Sequence, residues 1–155
     1  MKNLSRRDLC VALSAFAAMG SIANGQATAG AREKTLSQSE AFPFDKLPVN
    51  HSKNGGESRP VIRGMLATGE YVEMHETTLP PGQMPHPPHK HRHSEFMMIR
   101  EGTVEFDNDG VKTRLGPGGV IFAASNKMHG LKNVGSAPAQ YFVIAIGRES
   151  GVERV

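Results

Sequence analysis

Beyond Pro60 the apolar residues fall in short runs, broken by Gly, Pro, Asn and Asp at intervals of roughly 8–12 residues, a spacing that marks an all-β chain. The runs predict strands at Val61–Ala67, Tyr71–Leu79, His89–His91, Phe96–Arg100, Val104–Asp107, Val111–Leu115, Val120–Ala123, Gly130–Asn133 and Gln140–Ile146. No helical periodicity long enough to compete follows residue 30. Asp107-Asn108-Asp109-Gly110 tolerates positive φ and predicts a hairpin, and Leu115-Gly116-Pro117-Gly118-Gly119 must reverse the chain. So many short strands without an internal repeat fit a single two-sheet jelly roll, which wraps its own edges.

Two segments precede this pattern. From Gly30 to Arg59 the chain is polar, carries Pro43 and Pro48 and ends near Asn54-Gly55-Gly56, so it is expected to be a linker or an extended arm; Ala41, Phe42, Phe44 and Leu47 could dock it. Residues 1–29 have the form of a cleavable targeting segment: Lys2, Arg6 and Arg7, then an apolar stretch from Leu9 to Met19, then Ala27-Thr28-Ala29 as a small-residue cleavage site. Ser5-Arg6-Arg7-Asp8-Leu9 resembles a twin-arginine export signal. The stretch is short for a bilayer span, so the expectation is an exported, periplasmic or extracellular protein without a permanent membrane anchor. Residues 148–155 form a C-terminal tail.

Length and charge narrow the classes further. The 155 residues suffice for one domain with a real core. The formal charge of +3 arises largely at the N-terminus; without residues 1–29 there remain 15 basic and 14 acidic side chains. With no basic run and few aromatics, nucleic acid binding is not expected. Cys10, the sole cysteine, lies in the targeting segment, so the mature chain has neither disulfides nor thiolate ligands.

Six of the seven histidines lie between His75 and His129. In a strand, His89 and His91 would share one face about 7 Å apart, a separation that suits one metal ion. Glu95 adds a hard oxygen, and two histidines with a carboxylate are a recurrent set for divalent iron and similar ions. His129, on a later strand, is the candidate fourth ligand.

These residues resemble the cupin superfamily over about residues 60–147. Its first motif appears as Gly82, His89, His91, Glu95 and Gly102, with one extra residue after Gly82. Its second appears as Gly118, His129 and Asn133, with Ala124 where Pro is usual and Asn126 where Gly is usual; Asn tolerates left-handed φ, so the turn should survive. The resemblance implies a cupin β-barrel in which His89, His91, Glu95 and His129 hold one divalent ion, with manganese, iron, nickel or zinc expected and copper the alternative suggested by Met84, Met97 and Met128. It also implies a homodimer.

Further candidates for the pocket are His75, His86, His93, Met97 and Ile99. Strand parity from Glu95 puts Met97 and Ile99 inside the barrel. His93 reads as a surface or rim residue, His86 as solvated and His75 as facing either cavity or water; Glu73, Glu76, Glu105 and His75 are the candidates for a general acid or base beside the metal, with solvation expected of each glutamate. Two functional classes stay open: a metal-dependent enzyme on a small organic substrate, whether dioxygenase or oxidase, isomerase or decarboxylase, and a noncatalytic binding protein for a metal or small ligand.

Overall fold

The computed structural model describes residues 34–148. The targeting segment with Cys10 and all but the first residue of the tail lie outside the described residues. The strands are β1 (Thr35–Leu36), β2 (Asn50–His51), β3 (Glu57–Leu66), β4 (Tyr71–Leu79), β5 (Ser94–Glu101), β6 (Val104–Asn108), β7 (Val111–Leu115), β8 (Val120–Ala123), β9 (His129–Asn133) and β10 (Ala139–Gly147). A 3₁₀ turn at Phe44–Lys46 is the sole helical element among the described residues, and none there is long and apolar enough to cross a membrane. One sheet runs β1-β3-β4-β10-β5-β8 with β2 also on β3; the other runs β7-β6-β9. Leu79, Met97, Ile99, Ile121, Tyr141 and Val143 of the first sheet share a core with Val104, Phe106 and Leu131 of the second.

Alternation decides which side chains enter. On β5, Met97 and Ile99 are buried while Phe96 and Met98 are exposed, as parity predicts. The β6–β7 hairpin turns through Asp109 (φ 53) and Gly110 (φ 90), the positive pair a two-residue primed turn requires. Asn126 adopts φ 58, so it does stand in for the usual glycine. At Gly102 (φ 82) a Cβ would lie 2.6 Å from the Ala139 Cα, so this position excludes any side chain.

The boundary expected at residue 60 falls inside β3, which begins at Glu57. Pro60 is no obstacle, because the pairing of β3 with β4 shifts between Pro60 and Ile62, and a bulge does not need the missing N–H. The described part of the preceding segment, from residue 34, pairs with β3. Thr35 and Leu36 pair parallel to Met65 and Leu66, Asn50 and His51 pair with Ser58 and Glu57, and the Phe44 ring lies 5.0 Å from the Arg59 guanidinium and 4.6 Å from that of Arg100.

The arm's Phe44 lies over Arg59, the partner of a charge that sequence places in solvent. Glu76 is completely buried: Arg59 Nη1 donates to its Oε2 at 3.3 Å and Thr78 Oγ1 to its Oε1 at 3.2 Å, while Arg59 Nη2 reaches Glu57 at 2.8 Å. Burying an ion pair offers little net gain over apolar packing, yet removing one partner strands the other in a low dielectric. Arg59→Ala is therefore expected to cost about 3–5 kcal/mol in urea unfolding, and Phe44→Ala, which uncovers the pair without breaking it, distinctly less. Equal costs would show that packing, not charge, dominates here.

Candidate metal site

Backbone hydrogen bonds place the four proposed ligands. His89 and His129 exchange both N–H···O bonds at 2.9 Å, forming an isolated bridge. The strand expected at His89–His91 shrinks to this bridge, because Pro85, Pro87 and Pro88 cannot donate to a ladder and the chain bends at Arg92 and His93. The two rings still meet, with centroids 5.1 Å apart. The left-handed turn at Asn126 directs its N–H onto the His91 carbonyl at 2.7 Å, tying the loop before β9 to the loop before β5.

Each ring is then oriented through one nitrogen. His91 Nδ1 lies 2.8 Å from the His93 carbonyl and His129 Nδ1 3.0 Å from the Lys127 carbonyl. A carbonyl only accepts, so Nδ1 donates in both and, in the neutral ring, Nε2 carries the lone pair, the arrangement that orients metal-ligating imidazoles. Those Nε2 atoms approach Glu95 at 3.3 Å (His91 to Oε1) and 3.6 Å (His129 to Oε2), outside hydrogen-bonding geometry. Both are buried without a hydrogen-bond partner, and so is His89 Nδ1. Ligand atoms of His89, His91 and His129 lie within 4.8 Å of one another, and those of His91, His93 and Glu95 form a second such group sharing His91.

Orphaned buried nitrogens grouped beside a carboxylate are costly unless a cation satisfies them. The residues present therefore fit a divalent ion, and three nitrogens with one oxygen suit the manganese-to-zinc series. Burial and then the neighbouring imidazoles of His86, His129 and His91 push the His89 pKa down to about 4, so this ring is neutral and ready to ligate. Burial works against a charged His91, but the Glu95 carboxylate outweighs it and raises the pKa. Burial likewise opposes ionised Glu95, yet His129, His91 and His93 hold it well below the usual carboxylate range.

The other candidates divide. His93 is not at the surface: it is 8% exposed, its ring stacks on His91 at 3.6 Å, and its Nε2 bonds Glu95 Oε1 at 3.0 Å. Although residues 92–93 bend before β5, this side chain keeps the inward direction of Glu95, two residues on. A cavity of about 540 Å³ opens onto the site, walled by Met97, Leu131, Val143 and the prolines at 85, 87 and 88, with His75 and His86 also lining it. His86 is exposed, with its ring 4.1 Å from that of His89. Ile99 lies in the core and not on the cavity wall; of the methionines that suggested copper, Met97 lines the cavity and Met84 and Met128 do not.

Glu73, expected in solvent, lines the cavity, and so do Thr77 and Tyr141, which sequence reading did not single out. The signal was present: Glu73, His75 and Thr77 are spaced by two on β4, so if one faces inward all do. Asn133, by contrast, is a structural clasp. Its Nδ2 donates to the Leu79 and Ala137 carbonyls at 2.8 and 2.9 Å and its Oδ1 accepts from Gly135 N–H at 2.9 Å.

Residues 75–145 match the family model described as Cupin domain. Among solved structures, the chain is similar to an RmlC-like cupin from Shewanella frigidimarina (21% identity, TM-score 0.59, covering 73% of this chain and 96% of that one). It is also similar to a sugar phosphate isomerase of the cupin superfamily from Silicibacter pomeroyi (19%, 0.59, 71% and 76%). A predicted oxalate decarboxylase from Thermotoga maritima is a third (21%, 0.57, 70% and 99%). No curated protein sequence matches. The barrel has the cupin fold, and the family match together with these neighbours supports placing the chain in the cupin superfamily.

Because an ion must displace the proton that His91 holds above the ordinary imidazole pKa, metal affinity is expected to rise with pH through and beyond about 6.5. His89, already neutral, adds little to that slope. In calorimetric titrations with zinc, His129→Ala should weaken binding by more than about 100-fold, and His93→Ala by only about 10-fold, as for a group that supports a ligand. A pH-independent affinity, or an unchanged affinity in His129→Ala, would contradict the assignment.

Proposed function

We propose that this cupin barrel is an exported mononuclear metalloenzyme acting on a small organic substrate that offers a carboxylate or enediol-like pair of oxygens, or on such a substrate with dioxygen. The observation that carries the reading is the set of buried nitrogens without partners beside Glu95, in a cavity whose apolar wall is formed by Met97, Leu131, Val143 and the prolines at 85, 87 and 88. Four protein ligands on a six-coordinate ion leave about two positions, enough for a bidentate substrate. A divalent ion held by His89, His91, Glu95 and His129 would supply Lewis-acid polarisation of a bound oxygen. The chain's own part is to orient the rings, exclude water along Met97, Leu131 and Val143, and fit a substrate of modest size. That solved neighbours bear the names isomerase and decarboxylase agrees with chemistry at such a centre.

A noncatalytic role in capturing a metal or small ligand is the second reading. It is favoured by the surplus imidazoles, His86 packed on His89 at the mouth and His93 on Glu95. Turnover separates the two classes.

Export is supported by the sequence of residues 1–29, and a homodimer by the outer face of the larger sheet. There Phe96 and Met98 of β5 pair with Phe122 and Val120 of β8, all four are exposed, and β8, the edge strand, carries neither charge nor proline. Burial of this face by a second copy predicts a dimer in light scattering that Phe122→Glu converts to monomer; a monomeric wild-type protein would contradict it.

The functional test takes protein recovered from the cell envelope after expression of the full chain. The expected result is a mature N-terminus near Gly30, about one divalent ion per chain, and metal-dependent turnover in a screen of small oxo and hydroxy acids and ketoses under air and under nitrogen. Metal without turnover would favour the capture role, and full-length protein confined to the cytoplasm would refute export.

A further inference from the structure

One pair of titratable groups in the cavity belongs to no part of the metal site. On β4, His75 Nδ1 lies 3.0 Å from Glu73 Oε1 and 3.2 Å from Oε2. An ionised carboxylate only accepts, so Nδ1 carries the proton, and in the neutral ring the lone pair lies on Nε2. Both residues line the same cavity as the proposed metal ligands and both are only part-buried. The strand register gives their position. Glu73 pairs with Ala145, which pairs with Glu95; His75 pairs with Val143, which pairs with Met97. The pair therefore sits two strands from Glu95 on the same inner face, about 10 Å away at the backbone by sheet spacing. The residue between Glu73 and Glu95 is an alanine, which leaves the room between the two carboxylates to a ligand.

We propose that His75 is the general base of this enzyme, oriented and electrostatically supported by Glu73 as a positioning residue, and that the substrate is a small carbonyl compound with an acidic proton on the carbon beside the carbonyl. This inference rests on the metalloenzyme reading and deepens it by selecting proton transfer, the chemistry of isomerisation, over dioxygen activation, which needs no base on this wall. In the step, the His75 Nε2 lone pair takes the proton from the carbon next to the carbonyl. The C–H electron pair becomes the carbon–carbon double bond, and the C=O π pair moves to oxygen, giving an enolate. His75 becomes imidazolium while its Nδ1–H stays hydrogen-bonded to Glu73, and the proton returns to carbon on reversal. The ordering of base and carboxylate is the one that fixes a tautomer and steadies the imidazolium; no oxidant or second substrate is required.

The probes are pyruvate and dihydroxyacetone in D₂O, which pair a carbonyl with a carboxylate and with a hydroxyl respectively, and proton NMR follows loss of the signal from the carbon-bound hydrogens. Zinc-loaded wild-type protein should exchange at least one of them faster than free zinc or metal-free protein does. His75→Ala should lower that rate by about 100-fold or more, with partial recovery on adding free imidazole, and Glu73→Gln should lower it less. Two readouts are independent of turnover. Zinc content should stay at one per chain in both variants, and ¹⁵N spectra should show His75 protonated at Nδ1 in the wild-type protein and not fixed in that form in Glu73→Gln. If the wild-type protein holds zinc but exchanges neither probe, or if His75→Ala exchanges at the wild-type rate, the base assignment fails and the metal site stands. If the wild-type protein takes up no zinc, the metalloenzyme reading fails and the role of His75 fails with it.

Discussion

The carboxylate of Glu95 is the fixed point of this molecule. It sits at the start of β5, mostly buried, with His91, His93 and His129 all directing Nε2 toward its two oxygens. An ionised group there is tolerable only because those imidazoles oppose the cost of burial, and the same convergence leaves nitrogen lone pairs that a divalent cation would satisfy better than a proton. Charge compensation and metal affinity are thus two consequences of one arrangement. The backbone makes it rigid: the His89–His129 bridge, the Asn126 N–H on the His91 carbonyl, and the two carbonyls that hold Nδ1 of His91 and His129.

The larger sheet divides its labour by face. Its inner face carries Glu95 and Met97 on β5, Tyr141 and Val143 on β10 and Glu73, His75 and Thr77 on β4, all within one cavity. The opposite face of β4 carries Glu76, whose charge is tied to Arg59 under the arm and never meets the site. A period of two places both sets within a single strand, so a slip of one residue in β4 would exchange the chemistry with its support.

Much of this was readable in advance. β4, β7 and β8 begin and end where alternation and turn residues predicted, because each is bounded by residues that cannot continue a strand. Motif spacing also singled out His89, His91 and His129, whose ligand atoms lie together, and Glu95, whose carboxylate groups with His91 and His93, since fixed intervals between turns fix which side chains return to one place. What stayed hidden depended on contacts distant in sequence. His93 keeps the inward direction of Glu95 across a bend through which local pattern does not carry parity, and Glu76 is buried against Arg59 of the neighbouring strand, a pairing not encoded in local pattern. Ile99 had the right parity but lies in the core rather than on the cavity wall. The pairing of Glu73 with His75 needed only the inward direction of β4, which composition alone did not supply.

The most direct test of the metal centre is anomalous diffraction from crystals of the zinc-loaded protein, collected on both sides of the zinc edge. The predicted result is one anomalous peak about 2.0–2.2 Å from a nitrogen of each of His89, His91 and His129 and from a Glu95 oxygen, with His93 still on the other Glu95 oxygen. A peak ligated elsewhere, or a His129 ring turned away from the pair at 89 and 91, would contradict it.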